Sequence, residues 1–290
     1  MNKPPAEINL SVDDVRELLG DQHAQLAHLP LIAGPSGWDN VIFRLGEELA
    51  VRLPRRQSAA ILLQHEQRWL PQLAPRLPLP IPAPIFLGSP SEFFPWHWSV
   101  TPWFDGETMD RAPPAADHAE LLASFLQALH TAAPADAPQN PWRSATLAQR
   151  QPRFDQCMHD IESSAGAMDT KLHRIWEQAV QTPIDVAPTW IHGDLHARNV
   201  LVRHGRLSAV LDWGDMTAGD RAVDLAATWI LLSQVQERER LMSRCHAISR
   251  QTWTRARGWA LMYALIVLCS GDPEHREPGQ ATLQRLCEGP

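Results

Sequence analysis

The amino-acid sequence predicts an α+β fold in two lobes, a small antiparallel-sheet lobe followed by a mainly helical one. Three patterns carry that expectation. Alternating apolar runs punctuated by turn signals crowd the first hundred positions, and helical periodicity takes over afterwards. A second pair of short apolar runs, Val200 to Val202 and Leu207 to Leu211, then interrupts the helical part. The boundary falls near residue 103, so the expected domains are 1–103 and 104–290.

Ser11 to Leu19 reads as a short helix. Ser11 precedes Asp13 and Asp14, while Val12, Val15, Leu18 and Leu19 recur at helical spacing, and Gly20 is expected to stop it. A small-residue loop, Ala33 to Asn40, leads into Val41 to Leu45. A turn at Gly46-Glu47 and the run Leu49 to Leu53 complete a hairpin pattern. On the second strand Leu49, Val51 and Leu53 face one way and Ala50 and Arg52 the other. An inward Arg52 needs a partner. Glu66 can provide one from a helix over about Ser58 to Leu73, whose apolar face comprises Ile61, Leu62, Trp69, Leu70 and Leu73. The prolines from Pro75 to Pro84 force an extended chain into an edge strand, Ile85 to Leu87. Trp96 to Thr101 alternates as a further strand and ends at Pro102-Trp103-Phe104-Asp105-Gly106.

Beyond that point Ala119 to His130 is a strong amphipathic helix, and Leu147 to about Val180 reads as helical with a break near Ser163 to Gly166. Gly219-Asp220 reads as a turn before a helix Ala222 to Leu232, with Asp224 in its first turn and both acids structural. Trp253 to Cys269 is a buried helix, and residues 271–281 are expected to loop out to a short terminal helix.

The chemistry-bearing residues gather around the apolar pair at 200–211. Its turn is His204-Gly205, and the polar residues at its mouths are Asp194, Asn199 and Asp212. Phosphoryl transfer asks for such a set. The transferred group is highly charged, so catalysis is mostly positioning and charge neutralisation by Mg²⁺, with one carboxylate to orient the attacking hydroxyl. Mg²⁺ prefers hard oxygen ligands and takes one or two from protein. Asp194 is thus the candidate base, and Asn199 and Asp212 are the candidate metal ligands. A rival arrangement, with residues 192–196 extended, would put His192, Asp194 and His196 on one face as hydrolase metal ligands.

The Asp-to-Asn interval of five, and Asp212-Trp213-Gly214 where kinases carry Asp-Phe-Gly, match the kinase catalytic loop. From His192-Gly193-Asp194-Leu195-His196 through Asp212-Trp213-Gly214-Asp215 to Gly219-Asp220-Arg221-Ala222-Val223-Asp224-Leu225-Ala226, the chain resembles the aminoglycoside phosphotransferase family. Ser36-Gly37-Trp38-Asp39-Asn40 resembles the corresponding loop of many members. The resemblance implies a bilobal protein-kinase-like fold whose N-terminal lobe binds ATP or GTP. Ser36 and Gly37 would drape over phosphates, Arg52 would meet phosphate while paired with Glu66, and the base would lie against Thr101, Trp103 and Phe104. Arginine stands where the commoner pattern has lysine. The implied reaction is Mg²⁺-dependent phosphorylation of a hydroxyl on a small molecule. Aminoglycosides and macrolides are candidate acceptors, and a metabolic alcohol such as choline, homoserine or a sugar-like molecule is the alternative. A nucleotide-binding protein without catalysis is the reading of another class.

Composition bounds the rest. In 290 residues, 44% hydrophobic and 20% charged content fits an ordinary globular chain, and a net charge of -7 disfavours a nucleic-acid partner. Residues 105–190 hold twelve acidic against six basic side chains, an expected source of an acidic acceptor pocket. The run Ala260 to Cys269 is too short to span a bilayer. No signal-peptide pattern is visible, and Cys157, Cys245, Cys269 and Cys287 form no C-x-x-C pair, so a reduced, cytoplasmic protein is expected. The sequence leaves the oligomeric state open.

Overall fold

The computed structural model describes residues 4–34, 37–115 and 118–289. The chain forms two compact units. Asn2–Glu107 with Ser208–Gly214 make the first, and Thr108–Leu207 with Asp215–Pro290 make the second.

The first unit is built on α1 (Val12–Gln22), β1 (Leu31–Ala33), β2 (Asn40–Leu45), β3 (Leu49–Pro54), α2 (Gln57–Leu73), β4 (Phe86–Gly88) and β5 (Trp98–Pro102). The five strands form one antiparallel sheet in the order β1-β2-β3-β5-β4. Period-two alternation sorts its residues. Phe43, Leu45, Val51, Leu53, Trp98 and Val100 join Val15, Leu18 and Leu19 of α1 in one core. Gly88 pairs with Trp98 in the register, and a Cβ at Gly88 would lie 1.9 Å from the indole, so only glycine permits that approach. Ser208–Gly214 joins this unit through the Val210 N–H, which donates to the Pro80 carbonyl at 3.0 Å.

Two details depart from expectation. Helix α1 continues through Gly20 to Gln22, because the Ser11–Asp14 capping box and the buried Val15, Leu18 and Leu19 outweigh the roughly 1 kcal/mol cost of an interior glycine. Ile61 is exposed; the buried face of α2 is Ala59, Ala60, Leu63, Glu66, Trp69, Leu70 and Leu73, so a polar glutamate takes a place in the stripe.

The strand β6 (Glu107–Thr108) leads into the second unit. There follow α3 (His118–Leu129), α4 (Gln151–Ala165), α5 (Thr170–Gln181), β7 (Thr189–Ile191) and β8 (Val200–Arg203). The turn His204-Gly205 and β9 (Arg206–Val210) come next; His204 and Gly205 both have positive φ, as a tight hairpin turn requires. After β10 (Thr217–Gly219) the chain is helical: α6 (Ala222–Leu225), α7 (Ala227–Leu231), α8 (Val235–Arg244), α9 (Arg250–Cys269) and α10 (Pro273–Glu288). Helix α9 is the hub, packing against α4, α5, α6 and α10 through buried Ala256, Ala260, Leu261, Ala264 and Leu265. Strand β10 pairs antiparallel with β7, Thr217 opposite Ile191 and Gly219 opposite Thr189.

Two expectations are corrected here. The helix expected over 222–232 is two short helices, α6 and α7, and the loop expected over 271–281 is helical from Pro273 onward. Pro273 stands at the first position of α10, where a missing N–H costs nothing. Among the described residues no helix is long and apolar enough to cross a membrane.

Candidate active site

Strand β7 delivers His192-Gly193-Asp194 from its end. Gly193 has φ +85, and a Cβ there would meet the Asp215 carbonyl oxygen at 2.7 Å, so the bend belongs to glycine. The bend leaves two backbone N–H groups pointing the same way. His192 N–H and Gly193 N–H donate to Asp224 Oδ2 and Oδ1 at 2.8 and 2.9 Å. Asp224 is buried and also sits 3.2 Å from His130 Nε2. Burial alone would raise the Asp224 carboxyl, but His130 and these N–H donors hold it below the usual carboxylate range. Asp224 lies in the first turn of α6, as expected, and from there its carboxylate also orders the loop before Asp194.

Asp194 is held on both oxygens. Arg143 Nη2 donates to Oδ1 at 2.5 Å, and His196 Nε2 lies 3.2 Å from Oδ2. The Arg198 N–H donates to His196 Nδ1, so the ring proton sits on Nε2, facing the carboxylate. Burial opposes ionisation of Asp194, yet Arg143, His196 and His192 prevail, and the carboxyl lies far below the usual range. Asn199, itself buried, stands beside it: Nδ2 donates to the Asp194 carbonyl at 2.8 Å, so the amide's acceptor Oδ1 is not used in that bond. These two predicted residues are thus brought together.

In the first unit the structure brings Arg52 and Glu66 together by two hydrogen bonds, one of them 3.1 Å, with both side chains buried. Asp212 belongs to the same unit, and its negative charge acts on Arg52. It adopts φ +57, a conformation rare outside glycine and frequent at functional positions. Thr101 is buried and paired with Ala50 in the ladder, and the Trp103 N–H donates to the Glu48 carbonyl at 2.7 Å. The Arg44 guanidinium lies 5.0 Å above the Trp103 ring, and Phe104 follows, half-buried. The Gly37 N–H donates to the Asn40 carbonyl at 2.8 Å, closing the loop before β2, while Ser36 lies outside the described residues.

A cavity of about 180 Å³ opens beside Asp194, walled by Trp142, Trp259, Met262 and Tyr263 and carrying Asp110, Arg143, Arg150 and Arg198. Among the described residues, the segment 105–190 does not make this cavity acidic. That segment turns Arg143 and Arg150 into the cavity along with Asp110, so three arginines face two carboxylates. Tyr263 stays a neutral phenol, its pKa raised first by burial and then by Asp194.

The hydrolase alternative also fails. The positive φ of Gly193 breaks the extended run it needs, and His192 and His196 each turn Nδ1 to a backbone N–H. Among the described residues no three His, Cys, Asp or Glu side chains gather as a metal set.

The sequence reading missed Arg143, Asn140 and Asp215. Arg143 Nε donates to Asp215 Oδ2 at 2.8 Å, and Asn140 Nδ2 donates to Asp215 Oδ1 at 2.9 Å. Asn140-Pro141 does signal an ordered turn. Nothing local says that this turn reaches residue 215.

Residues 30–259 match the model of the phosphotransferase enzyme family. A thiamine kinase of Escherichia coli O157:H7 (strain EC4115 / EHEC) is 25% identical over 263 residues, 88% of this chain and 86% of that one. An aminoglycoside 3'-phosphotransferase of Escherichia coli is 26% identical over 144 residues, 47% of this chain, so the match spans about half of that relative, 53%. Among solved structures, the GDP complex of wild-type aminoglycoside 2'-phosphotransferase-IIIa superposes with a TM-score of 0.65 at 16% identity, covering 96% of this chain and 99% of that one. The expected protein-kinase-like fold is the fold found.

Proposed function

Because the chain belongs to the phosphotransferase enzyme family, we propose that it moves the terminal phosphoryl group of ATP or GTP to a hydroxyl of a small molecule bound in the cavity beside Asp194. The observation that carries this reading is the carboxylate itself. Asp194 is kept ionised by Arg143 and His196 at the wall of a cavity lined by aromatic side chains. A carboxylate so far from its proton is a poor early base and a good orienting group. That is what a loose phosphoryl-transfer transition state asks for, with the proton leaving late.

The other roles follow residue by residue. Arg52, steadied by Glu66, offers a permanent charge to phosphate. The loop at Ser36-Gly37 would cover the phosphates, and the base would lie along Thr101, Trp103 and Phe104. The Trp103 N–H is already engaged by Glu48, so the base must find other backbone groups. By the family resemblance Asn199 Oδ1 and the Asp212 carboxylate would each serve as a ligand to Mg²⁺, and a neutral and an anionic hard oxygen are donor types that ion takes. When bound, the ion would neutralise charge building on the phosphate oxygens.

The cavity favours a flat-ring alcohol over a polycation. About 180 Å³ is small beside the roughly 300–1,000 Å³ of common ligand pockets, which suits one or two small rings better than a many-ringed polycation. Trp142, Trp259 and Tyr263 offer faces to a ring. Thiamine kinases match most of this chain, and thiamine is an alcohol on a flat heterocycle, so it is the first acceptor to test. Phosphate transfer from ATP and from GTP with Mg²⁺ should be measured against thiamine, related ring alcohols, kanamycin and a macrolide. We expect turnover of a ring alcohol, and loss of about 10³-fold in Asp194→Asn with nucleotide affinity kept. Turnover of kanamycin or the macrolide alone would restore the antibiotic reading. Nucleotide binding without transfer to any acceptor would leave a binding protein.

A further inference from the structure

We infer that Arg143 is a positioning residue for the transfer, its single guanidinium spanning Asp194 and Asp215 so that Asp194 Oδ2 is left to receive the acceptor hydroxyl. The inference rests on the proposed role of Asp194. In the step it serves, the acceptor oxygen forms a bond to the terminal phosphorus as the bond from phosphorus to the bridging oxygen breaks. The nucleoside diphosphate leaves, and the hydroxyl proton passes to Asp194 Oδ2.

Bond geometry supports the assignment. Nη2 reaches Asp194 Oδ1 at 2.5 Å and Nε reaches Asp215 Oδ2 at 2.8 Å, so the guanidinium plane is set by two anchors rather than one. On the other oxygen the neighbours stand farther off, His196 Nε2 at 3.2 Å and Asn199 Nδ2 at 3.4 Å. Oδ1 is spent and Oδ2 retains capacity for a hydroxyl. Both Arg143 and Asp194 line the cavity and keep about a quarter of their side chains exposed, 26% and 28%.

The loop that carries Arg143 is itself fastened. Asn140 Oδ1 accepts from Trp142 N–H and Arg143 N–H at 2.9 and 3.1 Å, an Asx turn that fixes the backbone just where the guanidinium departs. Asn140 Nδ2 holds the second oxygen of Asp215, and the Asn140 N–H donates to Thr217 Oγ1 at 3.0 Å. On the far side Ser144 Oγ donates to the Ala218 carbonyl at 3.0 Å. Strand β10 thereby holds the loop on both sides of Arg143. A stray surface ion pair would have no such support, and a carboxylate allowed to rotate by about 1 Å would cost about 10²-fold in rate.

The test compares Arg143→Ala and Arg143→Lys with the wild type by steady-state kinetics, alongside hydrolysis of the nucleotide by water. We expect Arg143→Ala to lose about 10²-fold in kcat for transfer while KM for nucleotide moves by no more than about threefold. Hydrolysis to water should fall far less, because water needs no fixed hydroxyl. Arg143→Lys should regain no more than about a tenth of the lost rate, since an ammonium cannot span both carboxylates, and added guanidinium should partly rescue Arg143→Ala. If Arg143→Ala does not fold, Arg143→Lys with a Tm near wild type and a kcat down about tenfold or more still supports the role. A variant that loses stability and keeps kcat, or loses transfer and hydrolysis equally, overturns it. A wild type that phosphorylates no alcohol overturns the proposed function and this role together, whereas an active wild type with an indifferent Arg143 overturns this role alone.

Discussion

Arg52 of β3 and Glu66 of α2 face each other in a two-bonded ion pair buried within the first unit, at 7% and 3% exposure. Strand alternation turns Arg52 away from the Val51 and Leu53 core, and helical spacing sets Glu66 in the buried stripe of α2. Burial by itself would weaken the Arg52 charge, but Glu66 and then Asp212 more than offset that. Glu66→Ala would leave a buried guanidinium without its carboxylate. We expect a loss of about 3–5 kcal/mol in urea unfolding, with a raised KM for nucleotide in whatever folded protein remains. Arg52→Lys should cost less stability yet still raise that KM, because one ammonium replaces a two-pronged donor.

Asp224 should prove indispensable to the catalytic loop although it lies inside the unit. Its two oxygens take the N–H groups of His192 and Gly193, the two residues before Asp194. Asp224→Asn keeps the volume but replaces one acceptor by an NH₂ that confronts an N–H donor. The expected outcome is a loss of about 2–3 kcal/mol in urea unfolding together with a fall in kcat of at least about tenfold. Stability lost with kcat unchanged would confine Asp224 to scaffolding.

The contrast between Asp194 and Arg143 shows where a sequence is legible. Asp194, Asn199 and Asp212 stand out because their intervals lie within one short stretch between apolar strands, and the hairpin of β2 and β3 announces itself through alternation and a glycine turn. Arg52 and Glu66 could be matched because strand and helix each fix which way a residue points. Arg143 has no such frame. It leaves an irregular turn 51 residues before its partner, and no local period encodes that distance. The same limit explains the acceptor cavity. Summed charge over 105–190 is negative, but a sum says nothing of which side chains turn inward, and here Arg143 and Arg150 do. Asp224 was legible as an acid near a helix start, whereas its hold on residues 192 and 193 depends on long-range packing.

Acid should loosen the second unit at a cluster that is not part of the cavity lining. Asp185 Oδ1 accepts from Arg255 Nη2 and Thr252 Oγ1, both at 2.9 Å, and Ser249 donates to its other oxygen. Burial tends to raise this carboxyl, but the bonds to Ser249, Arg255 and Thr252 push it down to about 2 from an ordinary 3.8. The folded value lies below the unfolded one, so the stabilisation is present above pH about 4 and disappears as pH falls towards 2. Water reaches this carboxylate, so salt should diminish the effect. Thermal melts of wild type and Asp185→Asn should therefore diverge at pH 6 and converge near pH 2. Parallel curves would show that Asp185 does not contribute.

Trp142 separates recognition from architecture. It is 64% exposed, it lines the cavity beside Asp194, and the Arg150 guanidinium lies 5.0 Å above its ring. A large apolar side chain so open to water adds little to folding, so Trp142→Ala should change stability by less than about 0.5 kcal/mol. If the acceptor is a flat ring seated on that indole, removing it forfeits a stacking contact of about 0.5–1.5 kcal/mol, and KM for the acceptor should rise by up to about tenfold. Arg143 keeps its own anchors on Asp194 and Asp215, so kcat at saturating acceptor should be nearly unchanged. Trp142→Phe should recover most of the affinity, since it restores an aromatic face. An acceptor KM that stays at the wild-type value in Trp142→Ala would place the ring elsewhere in the cavity, against Trp259 or Tyr263.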